Sequence, residues 1–348
     1  MKDRAALLAV LLLACGGCRS RQETARAWLA ADKLFRSDIR WLGGDGAYSI
    51  PLDEGRTLWL FGDSFVEPGG SGKRSLDSLP RNTIAIQEGL DPASAKMRFY
   101  WREKGGKPRA FFGPEGERWL WPAHGARVGK RLLLFFMRIK RASGGMGFSV
   151  EGSTALLVDN PEQDPLSWRF MVPALPALRA GMLLGSAVLV DRGFLYAYSP
   201  QDPGHRVYLA RWPLEKTEKG ELSSPQWWSG KAGWSLAAEP VPLFTGASEF
   251  SVHAGTGGLV SVHSLGFGDT EIGIRRSLKP EGPWSRAEAA FHPEESGRKG
   301  ILVYAAKAHA HLRGKGLLVT YAANPQDPTI LLSDMSLYYP RFVRLDIP

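Results

Sequence analysis

A two-strand unit recurs five times along this chain, and few architectures can hold it. Each copy is a short strand, a tight turn, and an apolar return strand. The first copy covers residues 45–52, turns at Asp53-Glu54-Gly55-Arg56 and returns over residues 57–63. The later copies pair 124–128 with 131–136, 185–190 with 194–198, 250–254 with 259–263, and 308–312 with 317–321. Gly in all five turns and apolar β-formers on both sides are hairpin signals. Further strand-like runs follow at 83–87, 155–158, 207–212, 271–275 and 342–345. The copies start about 60 to 80 residues apart, longer than the ~40–50 of common propeller repeats, which fits four-stranded units with long loops. The expected fold is all-β, a five-bladed β-propeller over residues 37–348, an arrangement that leaves few sheet edges open. A β-sandwich would also show short strands and turns, and is the alternative.

The chain begins with an address. Lys2 and Arg4 precede an unbroken apolar run at 5–14, too short to span a bilayer. Leu12-Leu13-Ala14-Cys15 looks like a bacterial lipobox, so residues 1–14 read as a signal peptide and Cys15 as the lipidated residue, with Cys18 as the alternative. These are the only two cysteines. A Cys-x-x-Cys redox or zinc site would need a second ligand pair or a segment that is retained, and neither is offered. Residues 15–36 then form a tether, helical in character over 23–35 and loosely docked. No acidic residue follows Cys15, which points to an exported protein of the cell envelope held at the outer membrane. The net charge of +9 is scattered, not gathered in a stripe, which argues against nucleic acid as a partner.

The first hairpin carries the chemistry. Asp45 lies before its inner strand and Asp63 after its return strand, so both fall at the end opposite the turn, on one rim. Paired carboxylates there suit glycoside hydrolysis, one as general acid and one as base or nucleophile, and crowding raises the pKa of one of them. Capping of turns is the competing use of both aspartates. The other inner-strand starts bring His124, Ser186, Glu249 and His309, with Tyr304 and Lys307 close in sequence. Glu249 is the candidate for a third acid or a modulator of the pair's pKa, and His124, Ser186, His253, Tyr304 and His309 are candidates for binding a ligand's hydroxyls. Trp41, Trp119, Trp121 and Trp284 suit sugar faces or the core. His309 and His311 would share one face of a strand, but the further ligands of a metal are not assignable. With no phosphate loop, nucleotide fingerprint or serine elbow, no cofactor is expected.

In order along the chain, several motifs resemble the bacterial domain-of-unknown-function family 4185. They are Trp41-Leu42-Gly43-Gly44-Asp45 with Leu60-Phe61-Gly62-Asp63, Arg81-Asn82-Thr83-Ile84-Ala85, Trp121-Pro122, Gly282-Pro283-Trp284-Ser285, residues 304–309, and Tyr339-Pro340-Arg341-Phe342. The resemblance runs from about Ile39 to the C-terminus. It implies kinship with five-bladed propeller glycoside hydrolases, some of which cut D-arabinan from within. It also implies that Asp45 and Asp63 stand where aspartates are implicated in catalysis. Asn82, inside the second motif, joins the candidate sugar-binding residues. No arabinan-binding loop is matched. The expected function is a surface-anchored glycoside hydrolase acting on an envelope or environmental polysaccharide. The alternatives are a glycan-binding lipoprotein without catalysis, and an inert envelope scaffold.

Overall fold

The computed structural model describes residues 25–346, so the expected signal peptide and Cys15 lie outside the described residues. Within them the fold is all-β, and five antiparallel sheets of four or more strands follow one another along the chain. The first sheet orders Tyr48–Pro51, Arg56–Phe61, Thr83–Glu88 and Lys96–Tyr100. The second orders Arg118–Val128, Arg131–Arg141, Phe148–Val158 and Phe170–Met171. Ala187–Asp191, Phe194–Gln201, Arg206–Pro213 and Gln226–Trp228 lead the third, which Trp234–Ser235 and Phe244–Thr245 extend. The fourth holds Phe250–Gly255, Gly258–Ser264, Ile272–Ser277 and Glu288–Phe291. In the fifth, Ile301–Ala308, Leu317–Pro325 and Arg341–Leu345 are completed by Ala25–Ala27 from the far end of the chain.

The return strands explain how the sheets are arranged. Successive side chains of a strand point to opposite faces, so an apolar residue at every position needs cover on both. Leu132, Leu134 and Phe136 join Ile50, Leu58, Leu60 and Ile84 of the first sheet. Their neighbours Leu133 and Phe135 join Val188, Leu195, Ala197 and Trp212 of the third. The same packing links the third sheet to the fourth through Tyr196, Tyr198, Phe250 and Val252. Val260, Val262, Val303 and Val319 link the fourth to the fifth. Trp59, Phe61 and Ala85 of the first sheet meet Leu318 and Phe342 of the fifth.

Two expectations are corrected. Residues 25–36 are built into the fold and do not hang as a tether. Ala25–Ala27 is a strand, and Leu29–Asp32 and Lys33–Arg36 form helical turns. Trp28, Ala31 and Phe35 are buried among Trp59, Phe61 and Phe342. Phe35 stacks on Phe342 with ring centroids 5.2 Å apart, and burying an aromatic of that size is worth about 1.5–3 kcal/mol. Secondly, the inner strand of the fifth hairpin is Ile301–Ala308, not 308–312. Its register shifts between Tyr304 and Lys307, and residues 309–316 make a longer connection than a tight turn. His309 and His311 therefore share no strand face.

Candidate active site

The end of the first hairpin opposite its turn is where carboxylates gather. Tyr48 pairs with Leu60, so the segments leading into and out of the hairpin run side by side. The Asp45 carbonyl accepts from the N–H of Gly62 and of Ala47, both at 3.0 Å. A side chain at position 62 would bring its first carbon 2.4 Å from Asp45 Oδ1. The carboxyl of Asp45 thus lies over the Gly62 backbone, beside the residue that carries the second carboxylate.

Each carboxylate has its own surroundings. Tyr304, on the inner strand of the fifth sheet, donates its hydroxyl to Asp45 Oδ2 at 2.6 Å. Burial, then the charge of Asp63, pushes Asp45 up to about 7, against the pull of the Tyr304 hydrogen bond. Asp63 accepts from Arg81 Nη1 at 2.6 Å and from Trp121 Nε1 at 2.7 Å. Burial raises Asp63 too, while the Arg81 charge and the Trp121 N–H hold it down. Arg81 lies 4.4 Å from the centre of the Trp119 ring, which fixes the cation in place. The two acids thus sit in different surroundings, Asp45 against a tyrosine hydroxyl and Asp63 against a guanidinium and an indole N–H.

Backbone strain collects at the same place. Five non-glycine residues among those described have positive φ: Ala47, Arg192, His205, Ala305 and Tyr338. Ala47 follows Asp45 by two positions, Ala305 adjoins Tyr304, and the Tyr338 hydroxyl donates to the Asp63 carbonyl at 2.9 Å. Such conformations cost of order 1–3 kcal/mol and persist where surrounding structure enforces them, commonly at functional sites.

Glu249 reaches this neighbourhood already partnered. Lys307 Nζ lies 2.9 Å from Glu249 Oε1, and the ammonium sits 4.3 Å from the centre of the Tyr48 ring. Burial lowers the Lys307 pKa and the Glu249 charge opposes that. Glu249 raises the Asp45 pKa and Lys307 lowers it. Held as an ion pair with Lys307, Glu249 bears on the pKa of Asp45.

Four of the expected ligand-binding residues are spent on the fold. The Asn82 amide donates to the carbonyls of Phe112 and Leu120 and accepts from the Phe112 N–H, all at 2.8–2.9 Å. His124 accepts from the Val188 N–H through Nδ1 at 3.0 Å and meets the Ser49 carbonyl through Nε2 at 3.3 Å, so it ties three sheets together. Accepting at Nδ1 requires a neutral ring with its proton on Nε2, and burial pushes its pKa down to about 3. Ser186 bonds the Leu183 carbonyl within its own turn. His309 lies between the Ser49 and Thr320 hydroxyls at 2.6 and 2.8 Å. His253 differs, because its Nε2 is buried without a partner. Trp41 is fully buried with its Nε1 on Thr83, and Trp284 packs among Tyr198 and Phe244. Among the described residues no group of three or more His, Cys, Asp or Glu side chains is placed to hold a metal ion.

Sequence reasoning missed the Arg81 clasp, the Trp121 bond to Asp63 and the Tyr338 support. Arg81 and Trp121 stand in the motifs quoted above, but nothing in their spacing says that they converge on Asp63.

A family model for a domain of unknown function, DUF5005, matches residues 30–346. The chain belongs to the DUF5005 family. A search of curated protein sequences finds no match. Solved structures resemble this DUF5005 chain over most of its length. A presumed hydrolase of Bacteroides ovatus has a TM-score of 0.72 at 17% identity, covering 94% of this chain and 92% of its own. The RS223 β-xylosidase has a TM-score of 0.50 at 11% identity, covering 92% and 94%. A thermostable family-43 glycoside hydrolase has a TM-score of 0.45 at 13% identity, covering 87% and 88%. At these identities the first two show that a DUF5005 chain shares their fold, and the third carries no argument.

Proposed function

We propose that this protein is a glycoside hydrolase acting on an envelope or environmental polysaccharide, with Asp45 and Asp63 as its working pair. The observation that carries the reading is their unequal setting: Asp45 at about 7 keeps a proton near neutral pH, while Asp63 is clasped by Arg81 and Trp121. Asp45 gives its proton to the glycosidic oxygen as the bond from the anomeric carbon breaks towards that oxygen. The Asp63 carboxylate faces the positive charge that develops on the sugar. It either takes a proton from a water that attacks the anomeric carbon or bonds to that carbon until water displaces it, so that water supplies the new hydroxyl and restores the proton to the acid pair. The presumed hydrolase and the xylosidase of like fold fit this chemistry, as do the motifs that resemble family 4185, while the family model that matches the chain is DUF5005.

The reading extends to the architecture and the cell. The five sheets are taken as blades of a closed propeller, supported by packing of each on the next and of the fifth on the first. With a lipid on Cys15, the chain to Ala25 reaches at most about 35 Å. Ala25 pairs with Leu345, which pairs with Leu317, beyond the level of Ala308. Tyr304, which holds Asp45, is level with Ala322, five residues along the return strand from Leu317. The anchor would therefore join the face away from the carboxylates and leave their rim turned towards substrate.

The test is incubation of residues 25–348 with envelope polysaccharides, D-arabinan included, beside Asp45→Asn and Asp63→Asn variants. Released oligosaccharides that vanish in both variants support the reading. Binding without release, equal in all three proteins, would overturn it in favour of a glycan-binding module.

A further inference from the structure

Beside Tyr304, the residue that holds Asp45, stands an aromatic ring that the fold holds in place but does not bury. Phe267 is 55% exposed, on the connection between the strands Gly258–Ser264 and Ile272–Ser277. Its ring lies 5.4 Å from that of Tyr304, whose hydroxyl holds Asp45. An exposed phenylalanine on a loose loop would call for no explanation, but this loop is fixed at several points. Leu265 N–H donates to the Glu271 carbonyl at 2.9 Å and closes it. Gly268 exchanges two backbone bonds with Val303, at 3.1 and 3.2 Å, which staple the loop to the inner strand of the fifth sheet next to Tyr304. Gly268 makes that contact at a φ of 101°, a conformation other residues rarely adopt. Ser296 Oγ bonds both Asp269 and the Thr270 backbone and holds the far side. The loop thus spends its bonds on displaying a ring to solvent beside the proton-bearing carboxylate. Trp121 and Phe148, packed edge to face at 4.5 Å, stand on the Asp63 side.

Resting on the glycosidase reading, we propose that Phe267 is a sugar-stacking platform, packing on the apolar face of the sugar unit on the Asp45 side of the bond to be cut. A pyranose or furanose ring presents C–H groups on one face, and a rigid aromatic covers them with little loss of conformational freedom. The ligand class is a neutral glycan with an unsubstituted ring face at that position.

The probes are short xylo-, arabino- and cello-oligosaccharides, titrated against the Asp63→Asn protein and against the same protein carrying Phe267→Ala or Phe267→Trp. The expected result is a roughly tenfold weaker affinity for Phe267→Ala. Retained affinity is expected for Phe267→Trp, with unchanged melting temperatures throughout because the ring is largely exposed. Equal affinity of the parent and Phe267→Ala for a sugar that binds would overturn the platform and leave the glycosidase reading standing. A parent that binds none of the probes, together with a wild type that cuts no polysaccharide, would overturn both.

Discussion

At the scale of single residues, the proposed glycosidase chemistry turns on the protonation of Asp45. A group that acts as an acid with its pKa near 7 is active below that pH, so turnover falls as pH rises through about 7. Protonation of Asp63 sets the limb on the acid side. Tyr304→Phe removes a hydrogen bond that favours the charged form of Asp45. Its pKa then rises further, and the alkaline limb of the pH–rate profile shifts to higher pH, as initial rates across a buffer series would show. Asn82 gives the opposite kind of result. Asn82→Ala leaves buried main-chain groups at Phe112 and Leu120 without partners, for a loss of about 2–4 kcal/mol. Urea unfolding would reveal that loss, while sugar affinity in the folded protein stays unchanged.

At the scale of elements, the hairpin pattern was legible because strand, turn and apolar return are local signals, and the return strands lie where continuous apolar runs placed them. Register made Asp45 and Asp63 legible too, since an antiparallel pair must bring its two ends together. The fifth inner strand was not, because a register shift at Tyr304 and the connection at 309–316 break the local pattern. Nor was the convergence of Arg81, Trp121 and Tyr338 on Asp63, which depends on how separate sheets pack and leaves no trace in spacing. The same logic misread His124 and His309. A strand-start histidine looks like a ligand in the sequence, and only the neighbouring sheet shows that both its nitrogens are used. Gly62 offers a test at this scale. Its backbone is not at positive φ, so Gly62→Ala does not strain the chain; it pushes on Asp45 Oδ1. Displacing a reacting group by about 1 Å costs roughly a hundredfold in kcat, which steady-state kinetics would register with little change in melting temperature.

At the scale of the whole molecule, buried histidines set the response to acid. Burial holds His253, His263 and His311 down to about 4 and His124 to about 3, and His309 is lowered as well. A histidine whose folded pKa lies below its unfolded value near 6.5 stabilises the fold fully above about 6.5 and loses that contribution as pH falls towards the folded value. Asp32 and Asp45, raised to about 6 and 7, act in the opposite sense over an overlapping range, but fewer groups are involved. The melting temperature is expected to drop between about pH 7 and pH 5, as thermal scans in the two buffers would record. Pairing of Ala25–Ala27 with Arg341–Leu345 has a consequence for synthesis. The first described strand has no partner until the last has been synthesised, and until then Trp59 and Phe61 lack the cover that Leu318 and Phe342 provide. A chain that loses Arg341–Leu345 thus leaves Ala25–Ala27 unpaired and the aromatic cluster around Trp59 uncovered, a target for quality control.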